Sequence, residues 1–147
     1  GEGARRPPPD PARLDMRLGE GRRAVVVDDE TAVRELVVDL LRHVGFVCVE
    51  FSDADAALAA PPPLRAVDLL VSDIRMPGRA TGLDLAQQAS AAQDAPAIVL
   101  MTGYTEDQPA SLPFRLLNKP FSRDEFYAAV TQVLHPLEAA QETSSVA

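Results

Sequence analysis

Lys119 is the one lysine in the chain and lies in the run Leu116-Leu117-Asn118-Lys119-Pro120-Phe121, while the thirteen other basic residues are arginines. Keeping one compact ammonium among guanidinium groups points to a place where a forked cation does not fit. Carboxylates occupy matching positions upstream. Asp28 and Asp29 end the apolar run Ala24-Val25-Val26-Val27, Asp73 ends Leu69-Leu70-Val71-Ser72, and Thr102 follows a third run, Ala97 to Met101. Three carboxylates about 4 Å apart would repel by roughly 4 kcal/mol per pair at an effective dielectric near 20, a repulsion that a divalent cation relieves. An oxygen-only donor set favours Mg2+, with Mn2+ as a substitute, over zinc. The residue types therefore outline a metal and phosphoryl site.

Periodicity identifies the elements that must position these groups. Arg23 to Val27 reads as a strand, and Val33, Leu36, Val37, Leu40, Leu41 and Val44 recur at helical steps up to Gly45. Phe46 to Phe51 is a second strand, and Asp53 to Ala60 a short helix stopped by Pro61-Pro62-Pro63. Val67 to Ser72 is a third strand. Thr81 with Asp84 resembles a capping box for a helix from Gly82 to about Ala92, and Ala97 to Met101 is the fourth strand. Leu116 and Leu117 form a brief fifth. Ser122 with Glu125 caps a last helix, stapled by Phe121 and Phe126, whose buried stripe is Phe126, Val130, Val133 and Leu134. Apolar strands separated by crossover helices predict a parallel sheet covered on both faces, with the site outside the carboxyl ends of the strands. Asp28, Asp29, Asp73, Thr102 and Lys119 would then share one edge.

At 147 residues the chain fits one domain that needs no covalent staple. Cys48, the lone cysteine, is expected to be a small core residue, and His43 and His135 to complement helix ends. No apolar run reaches the roughly 18 residues of a membrane span. Net charge is −8, divided as +2 over residues 1–23 and −10 over the rest. An acidic body excludes nucleic acid as a direct partner. The Pro- and Arg-rich residues 1–21 are expected to be a disordered linker, joining residues 22–135 to something N-terminal, with 136–147 a tail.

Over about residues 22–135 the sequence resembles the receiver domain of two-component response regulators. The resemblance rests on Val27-Asp28-Asp29-Glu30, Ser72-Asp73-Ile74-Arg75-Met76-Pro77-Gly78, Met101-Thr102-Gly103 and Asn118-Lys119-Pro120-Phe121, in this order. It implies a flavodoxin-like, doubly wound α/β fold with a five-stranded parallel sheet in the order 2-1-3-4-5. It implies that Asp29 and Asp73 bind Mg2+ directly, that Arg75 lends a backbone carbonyl, and that Asp28 holds a metal-bound water. Asp73 would be the nucleophile toward a phosphohistidine of a histidine kinase or histidine phosphotransfer domain. Thr102 and Lys119 would assist it, and Thr102, Gly103, Lys119 and Ile74 would bind the phosphoryl group. A cytoplasmic location is expected, free or tethered through a sensor kinase, and whether the domain forms a weak dimer is left open.

Three departures accompany the resemblance. The run from Met76 to Gly82 is one residue longer than usual, and seventeen positions separate Thr102 from Lys119, several fewer than is typical. A shortened or irregular fourth helix is therefore expected. Leu116 stands where many receivers carry a switching aromatic, which makes Thr102, Tyr104 and Leu116 the switch positions, with Tyr104 as the candidate mobile ring. The run Met101-Thr102-Gly103-Tyr104 with this short interval resembles receivers attached to hybrid histidine kinases, so a C-terminal receiver of such a kinase is expected, with a stand-alone receiver second. Two other classes stay open: a Mg2+-dependent phosphohydrolase with an aspartate nucleophile, Asp28 with Glu30 as its second acid, and a degenerate receiver serving as a docking module.

Overall fold

Each apolar run of the sequence becomes a strand in the computed structural model, which describes residues 14–59, 67–75, 78–103 and 113–135. In chain order the elements are β1 (Arg23–Val27), α1 (Thr31–His43), β2 (Val47–Phe51), α2 (Ala54–Ala59), β3 (Leu69–Asp73), α3 (Gly82–Ser90), β4 (Ala97–Gly103), β5 (Arg115–Lys119) and α4 (Arg123–Leu134). All strand pairs are parallel, in the order β2-β1-β3-β4-β5. This is the flavodoxin-like arrangement expected.

The alternation of side chains along each strand divides the core in two. Ala24, Val26, Leu69, Val71, Val99, Met101 and Leu117 pack against α1 and α4. Val25, Val27, Leu70, Ile98 and Leu100 pack against α2 and α3. Burial of each such Val or Leu stabilises the fold by roughly 1.5–3 kcal/mol, so the two layers fix the register of the sheet. Both expected capping boxes form, at Thr81/Asp84 and Ser122/Glu125. The Phe121 and Phe126 rings stack with centroids 5.7 Å apart, completing the hydrophobic staple. Tyr127 donates its hydroxyl to the Leu40 carbonyl at 2.6 Å, tying α4 to one of the last carbonyls of α1, which have no partner inside their own helix.

Several expectations are corrected. In α1 the inward face carries Val37, Val38 and Leu41, whereas Leu36 is 48% exposed. β2 is an edge strand beside the short α2, and Val47 and Val49 are largely exposed rather than covered. Cys48 is partly buried on the α1 side; burial, helped by Glu50 and opposed by Arg42, pushes its thiol up to about 11. Residues 14–21, assigned to the linker from sequence, pack on the domain: Leu18 is buried and the Gly19 N–H donates to the Val44 carbonyl at 2.7 Å. β4 and β5 each run two residues further than periodicity suggested, because Thr102 pairs with Asn118 and Gly103 with Lys119. The rest of the proposed linker, residues 104–112 with Tyr104 and the expected fourth helix, and the tail from 136 lie outside the described residues. Among the described residues no helix is long and apolar enough to cross a membrane.

Candidate functional site

Asp28 follows the end of β1 and is fully buried. Its Oδ1 accepts the Glu30 N–H at 2.9 Å, turning the chain from strand to helix. Its carbonyl accepts Arg34 Nη1 at 2.8 Å, and its N–H extends the sheet by donating to Phe51 at 3.2 Å. Every other polar group of Asp28 being fixed, its Oδ2 is left buried and without a hydrogen bond among the described residues. Lys119 Nζ lies 3.0 Å from that oxygen and holds it as an ion pair.

Asp73 is the last residue of β3 and only 6% exposed. Lys119, the last residue of β5, reaches across the sheet edge and donates to Asp73 Oδ2 at 3.1 Å. It donates also to Glu30 Oε1 at 3.2 Å, so one ammonium faces three carboxylates. Burial raises the Asp73 pKa, and the Asp28 charge adds to it, against the lowering effects of Lys119 and the Arg75 N–H. For Lys119 burial favours the neutral amine, but the Asp28 and Asp73 carboxylates prevail and push its pKa up. Lysine is charged throughout the physiological range, as a group that must neutralise phosphoryl oxygens requires.

Asp28, Asp29 and Asp73 each present a carboxylate oxygen within 4.8 Å of the others, two of the residues buried and Asp29 exposed. An all-oxygen cluster, open at Asp29 and holding a buried Asp28 Oδ2 that meets Lys119 by charge alone, fits a hard divalent cation. Thr102 is buried at the end of β4, its hydroxyl 3.3 Å from the Gly103 carbonyl, beside Lys119 in the sheet. Leu116 is partly buried against the α2–α3 layer. The structure thus gathers Asp28, Asp29, Asp73, Thr102, Gly103 and Lys119 at one edge.

Ile74, expected among the phosphoryl-binding residues, has its amide engaged elsewhere. Its N–H is spent on the Met101 carbonyl at 2.9 Å, and the amide that addresses the Asp73 carboxylate is that of Arg75, 3.4 Å from Oδ1. The sequence also gave no sign that Glu30 shares Lys119 or that Arg34 holds Asp28. Glu30 had only its place beside the acid pair to mark it, and its partner is 89 residues away.

Gly82 closes the connection that leaves Asp73: its N–H donates to the Ile74 carbonyl at 2.8 Å, and a Cβ would collide with the Asp73 carbonyl. Gly82→Ala is expected to destabilise the domain by about 2 kcal/mol through backbone displacement, read from denaturant unfolding. An unchanged midpoint would show that this neck relaxes freely.

The sequence profile of the response regulator receiver domain matches residues 24–131. The chain belongs to that family. The receiver is 35% identical over 127 residues to the transcriptional regulatory protein FixJ of Bradyrhizobium diazoefficiens, covering 83% of this chain and 61% of that protein. To the DNA-binding transcriptional regulator NtrC of Salmonella typhimurium it is 32% identical over 129 residues, 82% of this chain and 26% of that one. It therefore spans less than two thirds of these relatives. Among solved structures, the receiver domain of the hybrid histidine kinase CckA superposes with a TM-score of 0.63 at 29% identity, covering 77% of this chain and 99% of that one. Buried Asp28, bound to the Glu30 N–H, is also ill placed as a phosphohydrolase nucleophile, since Glu30 is held by Lys119.

Proposed function

We propose that this receiver takes a phosphoryl group onto Asp73 from a phosphohistidine of a histidine kinase or histidine phosphotransfer domain. The carrying observation is Lys119, bound at 3.1 Å to Asp73 Oδ2 beside the acid cluster. Asp28, Asp29 and Asp73, with the Arg75 carbonyl, would hold Mg2+. When bound, the ion supplies positive charge to the transferring oxygens.

Asp73 supplies the attacking carboxylate oxygen. A P–O bond to Asp73 forms as the P–N bond to the donor histidine breaks, and the imidazole leaves with the electron pair of that bond. Lys119 binds a phosphoryl oxygen while its ammonium stays protonated, and the Arg75 N–H meets another. Thr102, one rung from Lys119, supplies a hydroxyl to the attached group, and Gly103 a backbone N–H. Burial of Asp73 and Thr102 limits the access of bulk water to the new acyl phosphate.

The donor class is common to hybrid-kinase receivers and to those of transcriptional regulators. For the hybrid context we rely on the short Thr102–Lys119 interval and the likeness to the CckA receiver; a cytoplasmic site of action accompanies it. The test is intact mass after incubation with acetyl phosphate. One phosphoryl group is expected with Mg2+ and none with EDTA. No adduct with metal bound, repeated with a kinase donor, would favour a docking module.

A further inference from the structure

Among its described residues, the chain returning from Asp73 to α3 is tied at a neck and again farther out. Its neck is the Gly82–Ile74 hydrogen bond. Farther out it is held by a residue of another helix: Asp55, in the first turn of α2, accepts the Arg79 N–H on Oδ2 at 3.0 Å and the Ala80 N–H on Oδ1 at 3.2 Å. Gly78 makes the approach feasible. Its φ is +112°, and a Cβ there would run into Asp55 Oδ2. Two consecutive amides thus converge on one carboxylate, and hydrogen bonds to an ionised acceptor are the stronger kind.

No structural need of α2 explains this arrangement. Asp53 already caps that helix, accepting the Ala56 N–H at 2.7 Å, so the Asp55 carboxylate is directed wholly at the other segment. The limb it holds is the one that carries Arg75, whose N–H is 3.4 Å from Asp73 Oδ1. That distance is longer than the best hydrogen bonds, so a shift of the limb would change how the amide meets the carboxylate.

We propose that Asp55 is a positioning residue of the phosphoacceptor site: by fixing Gly78–Ala80 against α2 it sets the Arg75 backbone relative to Asp73. The inference rests on reading the Asp73 cluster as the Mg2+ and phosphoryl site. Asp55 touches neither ion nor phosphoryl group and acts through Arg75.

The test compares the parent with Asp55→Ala and Asp55→Asn by amide hydrogen exchange without metal, Mg2+ titration calorimetry and unfolding midpoint. Asp55→Ala is expected to speed exchange at Arg75 as well as at Arg79 and Ala80. Its Mg2+ affinity should fall roughly tenfold, the scale of losing a group that orients a metal ligand. Asp55→Asn keeps one acceptor oxygen and should fall between. Unchanged Arg75 exchange and Mg2+ affinity, with only a lower midpoint, would reduce Asp55 to a structural tie and overturn the proposal. If the parent itself binds no Mg2+, the metal reading fails, and Arg75 exchange alone decides the role of Asp55.

Discussion

Asp73→Asn is expected to take up no phosphoryl group from acetyl phosphate at any Mg2+ concentration, while remaining folded. The amide oxygen of asparagine is not the nucleophile a carboxylate is, and the neighbouring Asp28 carboxylate is fully buried with its Oδ1 occupied. The same variant should change how stability depends on pH. Burial raises the Asp73 pKa above the ordinary carboxylate value, so the folded, metal-free domain holds this proton to higher pH than the unfolded chain does. That contribution is complete below the unfolded pKa and is lost as pH rises through the folded one. Metal-free parent should therefore lose this increment as pH rises from the unfolded to the folded pKa of Asp73, and Asp73→Asn, neutral throughout, should lose less. Intact mass and denaturant midpoints across that window check both parts. An adduct on the variant would mean another acceptor.

The second large effect is at Lys119. Lys119→Met keeps the length and apolar stem but leaves Asp28 and Asp73 facing each other with Glu30 nearby. Removing one partner of a buried pair costs about 3 kcal/mol or more, which lowers the melting temperature of a domain this size by roughly 10 °C. Mg2+ should restore much of it, since a ligand at about 100 times its Kd adds about 2.7 kcal/mol. Phosphorylation with metal present should still slow on the order of 10²-fold, the loss expected for one donor to developing charge. Lys119→Arg should not rescue the rate, because a planar fork cannot face three carboxylates as an ammonium does. Equal melting temperatures for parent and Lys119→Met without metal would remove the argument that Lys119 balances the acid cluster.

The sheet and most of the site could be read from the sequence because they rest on patterns one residue type wide: apolar runs ended by Asp28 and Asp73, and one lysine before a proline. What escaped was set by packing. Leu36 and Val38 are equally apolar, and helical spacing alone assigned the inward face to Leu36; contact with the sheet selected Val38. Val47 and Val49 read as core because strand alternation does not say whether a strand lies at the edge. Thr102 and Asn118 are polar, so a reading by hydropathy ended their strands early, while the ladder hydrogen bonds of β4 and β5 continue through them. Glu30 and Asp55 entered through partners 89 and about 24 positions away, distances at which a one-dimensional pattern carries no information.

The continuation of that ladder explains how the short interval after Thr102 can coexist with an intact constellation. Thr102 stands opposite Asn118 and Gly103 opposite Lys119 as rungs of neighbouring strands, so their separation is set by strand spacing and not by how much chain joins them. A one-residue slip would turn Lys119 to the opposite face, whereas adding or deleting residues between the rungs leaves it where it is. The placement of Lys119 beside Thr102 is thereby insulated from the length of the segment that joins them.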